Sequence, residues 1–336
     1  MRKLQYSVFK KETGNAGGKA KNDAFDILLE NGFQPTYKPA NKRFIRILQQ
    51  FLSLSRLKKN DILVVQYPAV SDILMRRLIK HIKRKNILSI ALVHDLSSIQ
   101  GMGGNIRDEI EILNAFDYLI VHNEKMREYL QIQGYKGKMV ILGIFDYLHD
   151  PAKSVQDAPY SNTVCIAGNL DKAKYIQDLS ELSSYRFNLY GINNVLELSG
   201  IDNAVYKGCV PSDEIVYLLE GDYGLVWDGD SVDACAGVFG RYLLYNNPHK
   251  LSLYLSSGKP VIVWAKSAIA EFVRKNRLGI AVDSLLELKS MDLKTGYKEF
   301  KANVLALKEK IGRGYYLSQA IRTVLQDIKS TNDFSA

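Results

Sequence analysis

The chain has 336 residues, 46% of them hydrophobic and 24% charged, which is the balance of a folded globular protein and excludes a disordered one. Its length allows two domains of ordinary size, and its net charge of +9 favours an anionic partner such as a nucleotide, a nucleic acid or a membrane surface. Three cysteines without CxxC spacing exclude a disulfide framework and a zinc site, the opening residues do not resemble a secretory signal, and no apolar run reaches the ~20 residues of a membrane-spanning helix.

Short β-rich runs alternate with helical patterns in the first half of the chain. Four apolar residues share one face of the first predicted helix and Gly32 ends it; the four are Ala24, Phe25, Leu28 and Leu29. Continuous apolar strands separated by helices predict a parallel sheet covered on both faces. The predicted strands are 5–9, 61–68, 87–95, 118–123 and 138–146.

A glycine-rich segment, 13–24, lies between the first strand and the first helix. Glycines let the backbone approach a ligand closely, and the free amides of a helix start favour an anion. The glycines at 14, 17 and 18 do not match GxGxxG, so a flexible turn is an equal interpretation. Gly17, Gly18 and Lys19 form the candidate ligand loop of this segment.

Two basic helices are predicted at 41–60 and 75–85. The first has an apolar stripe, Phe44, Ile47, Leu48, Phe51 and Leu52, flanked by Lys42, Arg43, Arg46, Arg56, Lys58 and Lys59. Packing of the stripe into the core is the commoner arrangement, and a helix lying on an anionic bilayer is the alternative. The cations are not interleaved with aromatic residues for base stacking, so no nucleic acid is expected. We expect a cytoplasmic protein, either soluble or peripheral to a membrane.

His94 and Asp95 follow the strand at 87–95, which is central in the predicted sheet. Ligands bind at the carboxyl edge of open α/β sheets, where either side chain would suit a base that accepts a proton from a hydroxyl. A structural pair that caps a helix is the alternative.

The pattern breaks at 150–161, a polar segment with two prolines, and then restarts. We therefore predict two doubly wound α/β domains at 1–152 and 160–314, with a ligand cleft between them, and a C-terminal helix at 315–336. Whether that helix packs back on the first domain stays open. The strands predicted in the second half are 162–169, 186–191, 204–210, 223–229, 259–264 and 278–282.

Asp228 and Asp230 follow the strand at 223–229. Two carboxylates at this spacing suit Mg²⁺ or Mn²⁺ on a nucleotide diphosphate, hydroxyls of a sugar, or a simple turn.

Asn247 and Pro248 read as the opening of a helix, a side-chain cap followed by proline at the first helical position. His249 and Lys250 then lie in the first turn, where the helix dipole disfavours a cation. An anionic ligand such as a diphosphate would explain a lysine beside free helix amides. A solvated lysine is the alternative.

Several segments carry a resemblance to a known family, above all YGLVWDGDSVDACAGVFGRYLLYNNPHKLSLYLSSGKPVIVW at 223–264, with AGGKAKNDAFDI, LVHDLSSIQGMGG, IVHNEKMREYL, IFDYL and IAGNLDK. From about Gly14 to near Tyr315 the chain resembles the bacterial β-1,6-galactofuranosyltransferases of O-antigen and capsule assembly. More distantly, it is similar to the glucosyltransferase that extends sugars on streptococcal serine-rich adhesins.

The resemblance implies the GT-B fold, two Rossmann-like domains that face an interdomain cleft, with the acceptor bound by the first and a nucleotide-sugar donor held mainly by the second. It implies an inverting transfer of galactofuranose from UDP-galactofuranose to a surface-polysaccharide acceptor, which the family typically builds on a lipid carrier. No cofactor and no obligatory metal are expected.

Residue by residue, Lys250 matches the family's diphosphate-binding lysine, and Lys172 falls where relatives carry Arg or Lys near the nucleotide. Asp95 is the better match for the base, although His94 beside it matches too. The remaining candidates of the donor or nucleotide site are Gly168, Asn169, Asn247 and His249, with Asp228 and Asp230 assigned to the donor sugar.

Two alternatives stay open. One is a UDP-glucose-dependent glucosyltransferase that acts on a glycoprotein adhesin. The other is a non-catalytic nucleotide-sugar-binding partner of another transferase. The sequence does not name the acceptor, the linkage or the oligomeric state, and a homo-oligomer is one of the open states.

Overall fold

The computed structural model describes residues 1–6, 16–37, 43–68, 72–101, 103–150, 153, 159–193 and 197–333. Two compact units divide these residues. The first takes residues up to 6, Lys21–Gly143 and the chain from Tyr316 onward, and the second takes 16–20 and Ile144–Tyr315. The described part of the predicted linker at 150–161 belongs to the second unit.

In the described part of the first unit, six strands form one sheet: β1 (Lys3–Tyr6), β2 (Gln34–Pro35), β3 (Ile62–Tyr67), β4 (Leu88–Val93), β5 (Tyr118–Val121) and β6 (Lys138–Ile141). Their order is β2-β1-β3-β4-β5-β6, and every pairing is parallel. β3 is buried along its whole length, as a continuous apolar run requires. Only β2 was not predicted, because two residues that include a proline give no strand pattern.

The helices that lie wholly or mostly in this unit are α1 (Ala16–Glu30), α2 (Arg43–Ser55), α3 (Asp72–Lys85), α4 (Ile106–Leu113), α5 (Glu124–Ile132) and the last helix, α11 (Tyr315–Asp333). α11 packs within the first unit, where Asp327 accepts hydrogen bonds from the Tyr118 hydroxyl and from Lys138 Nζ, both at 2.6 Å. Gly32 ends α1 with a φ of +87°, as predicted.

Two predictions of buried helix faces are wrong in part. Leu29 of α1 is 39% exposed, and Ile27 takes its place in the core. In α2, Leu48 and Leu52 are exposed instead of packing into the core. The side chains of Phe44, Ile47 and Phe51, predicted on the same stripe, lie outside the described residues.

In the second unit, the described strands are β7 (Thr163–Asn169), β8 (Arg186–Ile192), β9 (Ala204–Tyr206), β10 (Tyr223–Val226), β11 (Val261–Trp264) and β12 (Gly279–Val282). They form a parallel sheet in the order β12-β11-β10-β7-β8-β9. This is the strand order of dinucleotide-binding folds, and the order reverses between β7 and β10.

Five further helices belong to the second unit as described: α6 (Ile215–Leu218), α7 (Gly237–Tyr242), α8 (His249–Ser256), α9 (Ala270–Lys275) and α10 (Tyr297–Gly312). Two doubly wound parallel sheets confirm the predicted α/β class. Among the described helices, none combines the length and the apolar character that a bilayer crossing needs.

Candidate functional site

The carboxyl ends of β7 and β10 lie side by side where the strand order of the second unit reverses. Ligands of open α/β sheets bind at such a point. The segments that leave the two strands, 168–172 and 227–240, carry most of the residues predicted for the donor: Gly168, Asn169, Lys172, Asp228 and Asp230. The topology therefore gathers residues that are about sixty positions apart in sequence.

The segment after β7 turns sharply. Gly168 has a φ of +141°, and a Cβ added to Gly191 on β8 would lie 1.7 Å from the Gly168 carbonyl oxygen, so no larger residue fits there. Asn169 caps the 3-10 helix at Leu170–Lys172, because its side chain accepts from the Asp171 amide at 3.1 Å. Asn169 thus has a local structural role.

The end of the same turn carries an exposed cation. Lys172 Nζ lies 4.5 Å from the ring centre of Phe239, which is itself 38% exposed on α7. This is the geometry of a cation–π pair. Such a pair leaves both the ammonium group and part of an aromatic face open to a ligand.

The segment after β10 is folded back tightly. The Trp227 indole is buried and donates to the Ser231 carbonyl at 3.0 Å. Gly229 has a φ of +120°, and a Cβ there would lie 2.5 Å from the Ala236 carbonyl oxygen. This fold leaves Asp230 exposed, 3.8 Å from Lys174 Nζ, and turns Asp228 inward.

The start of α8 differs from the sequence prediction. His249 is the first helical residue, and Pro248 is the N-cap, with an extended ψ of 134° and no side-chain hydrogen bond to the first amides. The prediction of Asn247 as the cap and Pro248 as the first helical residue is therefore wrong. Asn247 lies one residue earlier and is 3% exposed. The N-cap residue Pro248 offers no side-chain acceptor to the amides of the first turn of α8.

Lys250 lies in that first turn and is paired. Its Nζ lies 2.7 Å from Asp228 Oδ1 and 3.2 Å from the Trp227 carbonyl oxygen, with the two charged side chains only 19% and 25% exposed. An ammonium group has three N–H donors, so these contacts leave one for a ligand. Asp228 is thus the anionic partner of Lys250 within the chain. In the described residues, no three His, Cys, Asp or Glu side chains come together as a metal site.

One turn after Lys250, Tyr254 ties α8 to the sheet. Its hydroxyl accepts from the Ala167 amide on β7 at 2.7 Å. The ring lies flat against Gly224 of β10, where an added Cβ would meet ring carbon at 2.1 Å. The helix that carries Lys250 and the strand that leads to Gly168 are therefore joined by one buried side chain.

His249 has a neutral ring that faces residues 145–147, near the start of the long segment of the second unit. Its Nε2 lies 3.2 Å from the Asp146 carbonyl oxygen, and its ring stacks on Tyr147 at 4.9 Å between centres. Burial lowers the pKa of His249 to about 4, against the opposing effect of the Asp146 hydrogen bond. Nε2 must carry the proton, because a carbonyl only accepts. Ser252 also donates to the Phe145 carbonyl, so residues 145–147 hold the first two turns of α8.

The candidate loop at Gly17, Gly18 and Lys19 is a helix instead. α1 begins at Ala16, so these residues form its first turn, and Gly14 lies outside the described residues. Lys19 is buried within the second unit, where Nζ donates to the Leu148 carbonyl at 2.8 Å and lies 3.0 Å from Asp213. It also lies 5.0 Å from the ring centre of Tyr147.

His94 and Asp95 lie at the end of β4 in the first unit. The Gln66 side chain donates its amide to the Lys21 carbonyl at 3.1 Å, so its oxygen faces His94 Nε2 at 2.9 Å. His94 Nε2 therefore carries the proton and is not free to accept one. Asp95 is partly exposed, and its Oδ1 accepts from Gln100 at 3.0 Å.

Glu109 shapes the turn after Asp95, and sequence reasoning missed it. This buried carboxylate accepts from the amides of Ser97 at 2.9 Å and Ser98 at 3.1 Å, and from the Tyr67 hydroxyl at 3.0 Å. In sequence, it is only one of three acids at 108–111, near the start of the helix that the structure shows as α4, where the helix dipole favours any acid.

The chain matches both domain models of one protein family. Residues 6–144 match "Glucosyltransferase 3-like, N-terminal domain" and residues 164–324 match "Glucosyltransferase 3-like, C-terminal domain". The chain is 33% identical to the β-1,6-galactofuranosyltransferase WbbI of Escherichia coli K12, over 94% of this chain and 96% of that protein. It is 26% identical to Glucosyltransferase 3 of Streptococcus gordonii, over 72% of each chain.

A solved structure extends the likeness to the fold. AviGT4, a glycosyltransferase involved in avilamycin A biosynthesis, superposes with a TM-score of 0.54 over 97% of both chains, at 13% identity. The predicted GT-B class is thereby confirmed.

Proposed function

The chain belongs to the Glucosyltransferase 3-like family of glycosyltransferases, and we propose that it transfers galactofuranose from UDP-galactofuranose to a hydroxyl of a surface-polysaccharide acceptor, with inversion at the anomeric carbon. The observation that carries the proposal is the 33% identity to a β-1,6-galactofuranosyltransferase across 94% of the chain.

The second unit supplies the groups that a UDP-sugar needs. The free N–H of Lys250 and the uncapped amides of α8 point positive charge at one place, where they suit a diphosphate. The same charge stabilises UDP as it departs with the electrons of the broken glycosidic bond. The exposed pair of Lys172 and Phe239 suits the nucleotide, and Asp230 the hydroxyls of the donor sugar.

We propose that transfer needs no metal ion, because Lys250 performs the neutralisation that a divalent cation performs in other transferases. We assign Asp228 two roles: it orients Lys250, which lies 2.7 Å from it, and it accepts from a hydroxyl of the donor sugar.

In the first unit we assign the base to Asp95. It accepts the proton of the attacking hydroxyl while that oxygen displaces UDP, so one bond forms as the other breaks. His94 is the positioning neighbour, since its Nε2 proton is committed to Gln66. The turn fixed by Glu109 holds the segment that follows Asp95.

The test is a donor screen that measures UDP release with simple galactosides and glucosides as acceptors. We expect release with UDP-galactofuranose that depends on the acceptor. Release with UDP-glucose alone would favour the activity for which the streptococcal relative is named, that of a glucosyltransferase. A protein that binds UDP but releases none from any donor would be a non-catalytic partner.

The proposed acceptor is a glycan on a lipid carrier at the inner face of the cytoplasmic membrane.

A further inference from the structure

Helix α2 departs in part from the pattern that a surface helix of a soluble protein shows: among its described side chains, Leu54 is buried as expected, but two polar side chains are buried as well and three apolar ones are exposed. Its buried side chains include two polar ones, Gln50 at 3% exposure and Ser53 at 1%. Its exposed side chains include Ile45, Leu48 and Leu52, at 43%, 50% and 56%. A helix that packs on a core in water buries its apolar face and exposes its polar one.

The three exposed residues form one continuous face. Their spacing of three and four positions places them above one another on the helix, and we call Ile45, Leu48 and Leu52 the α2 apolar face. The orientation of the helix is fixed from its other side, where Gln50 donates to the Tyr37 hydroxyl at 3.1 Å. Turning the helix to bury the leucines would break that buried hydrogen bond.

Cations gather where the α2 apolar face ends. Arg56, Lys58 and Lys59 are exposed just after the helix. On α3, Lys83 and Arg84 are exposed too, and Lys85 next to them donates to the carbonyls of Ser55 at 3.1 Å and Leu57 at 2.6 Å. The ends of α2 and α3 are thereby joined.

The sequence that contains α2 and α3 is strongly basic. Residues 31–94 contain 13 Lys or Arg and only two acids, Asp61 and Asp72, which is a net charge of +11 in a chain whose total is +9. Asp61 does not offset the exposed cations, because Arg2 lies 2.6 Å from it and the Asp61 side chain is 4% exposed.

We propose that the α2 apolar face docks on an anionic lipid bilayer, with Ile45, Leu48 and Leu52 in the acyl boundary and the cations that follow α2 and end α3 at the headgroups. Apolar residues on one face beside a dense cationic rim are what an interfacial helix needs. A second copy of the chain would bring two strongly positive surfaces together, and a nucleic acid would leave the leucines in water. The inference extends the proposed function, whose acceptor is carried by a lipid, and its test does not depend on turnover.

The first experiment measures partition onto sedimented vesicles of phosphatidylcholine with and without phosphatidylglycerol. We expect the full chain to prefer the anionic vesicles. Leu48→Gln/Leu52→Gln should lower the partition coefficient at least about tenfold, because two side chains no longer insert. Leu218→Gln/Leu305→Gln is the matched control, since those leucines are 51% and 48% exposed in the second unit and should change nothing.

A second pair of variants separates charge from insertion. Lys58→Glu/Lys59→Glu should remove most of the preference for phosphatidylglycerol, and Lys294→Glu/Lys298→Glu, on the second unit, should keep it. Equal partition of the two leucine variants, or no preference of the wild type for anionic lipid, would overturn the proposal. The proposal would also be overturned if the wild-type protein does not bind vesicles but forms dimers, and if the Leu48→Gln/Leu52→Gln variant is monomeric. The rate of UDP release from the donor, measured with a soluble acceptor, should be equal in all these variants.

Discussion

Replacing Lys250 by alanine should weaken UDP binding strongly and leave the protein folded. In the structure, the Lys250 ammonium group donates one hydrogen bond to Asp228 and one to the Trp227 carbonyl. We assign its third N–H to the diphosphate. Loss of one charge-assisted hydrogen bond costs about 1.5–3 kcal/mol, which is roughly 10- to 150-fold in the dissociation constant.

The pairing with Asp228 places the expected loss at the upper end of that range. Without Lys250, a carboxylate that is only 25% exposed stays beside the phosphate position with no cation to offset it, and it repels the ligand. Removing that charge as well, in Lys250→Ala/Asp228→Asn, should recover part of the affinity and bring the loss back to about tenfold. Asp228→Asn alone should bind UDP at least as well as the wild type, because Lys250 is then released to the phosphate.

Calorimetric titration with UDP at one fixed salt concentration measures all four proteins of this cycle. Circular dichroism and the thermal midpoint show that each variant is folded. A dissociation constant for Lys250→Ala within about twofold of the wild-type value would refute the diphosphate role of Lys250. A double variant no better than the single one would refute the repulsion from Asp228.

Three further outcomes are expected. Asp95→Asn should lower kcat by ~10²–10⁴ with UDP binding nearly unchanged, and an active Asp95→Asn beside a dead His94→Ala would exchange the two roles. EDTA should leave most of the transfer activity, whereas complete loss that Mn²⁺ restores would show a required ion. Burial lowers the pKa of His122 and of His249 to about 4, so the unfolded chain binds more protons than the folded one between about pH 6.5 and 4. The contribution of these two histidines to the free energy of unfolding should therefore be constant above pH 7 and fall by about 3 kcal/mol at most for each histidine as the pH drops through that window. A urea midpoint that is equal at pH 7 and pH 4.5 would contradict it.

The strands were predictable because each is an apolar run between helical patterns, and burial in a parallel sheet imposes that composition. Residues 61–68 show this, since their whole apolar run became β3. β2 was not predictable, because its two residues join the sheet through pairing with β1 and carry no pattern of their own. Boundaries of helices depend on backbone angles that residue types only bias: Pro248 suits the first position of a helix, yet its ψ of 134° makes it the cap.

Some residues of the candidate site could be predicted from their position along the chain. The contacts between them could not, because they join residues that are far apart in sequence. Asp228 and Lys250 were both predicted, the one for following a strand and the other for its place in a helix turn. Their ion pair was not, because it depends on how the segment after Trp227 folds back. The tautomer of His94 follows from its contact with Gln66, whose orientation is set by the Lys21 carbonyl. The turn after Asp95 is held by Glu109. All three partners are distant in sequence, so neither feature could be predicted.

The contact between the Tyr254 hydroxyl and the Ala167 amide has a consequence for motion. That amide hydrogen can exchange with solvent deuterium only after the hydroxyl has left it, and the ring cannot leave while α8 stays seated on Gly224. The exchange rate of one amide on β7 therefore reports the free energy of separating the helix of Lys250 from its sheet. A bound donor that steadies α8 would slow this single exchange signal without touching Ala167 itself.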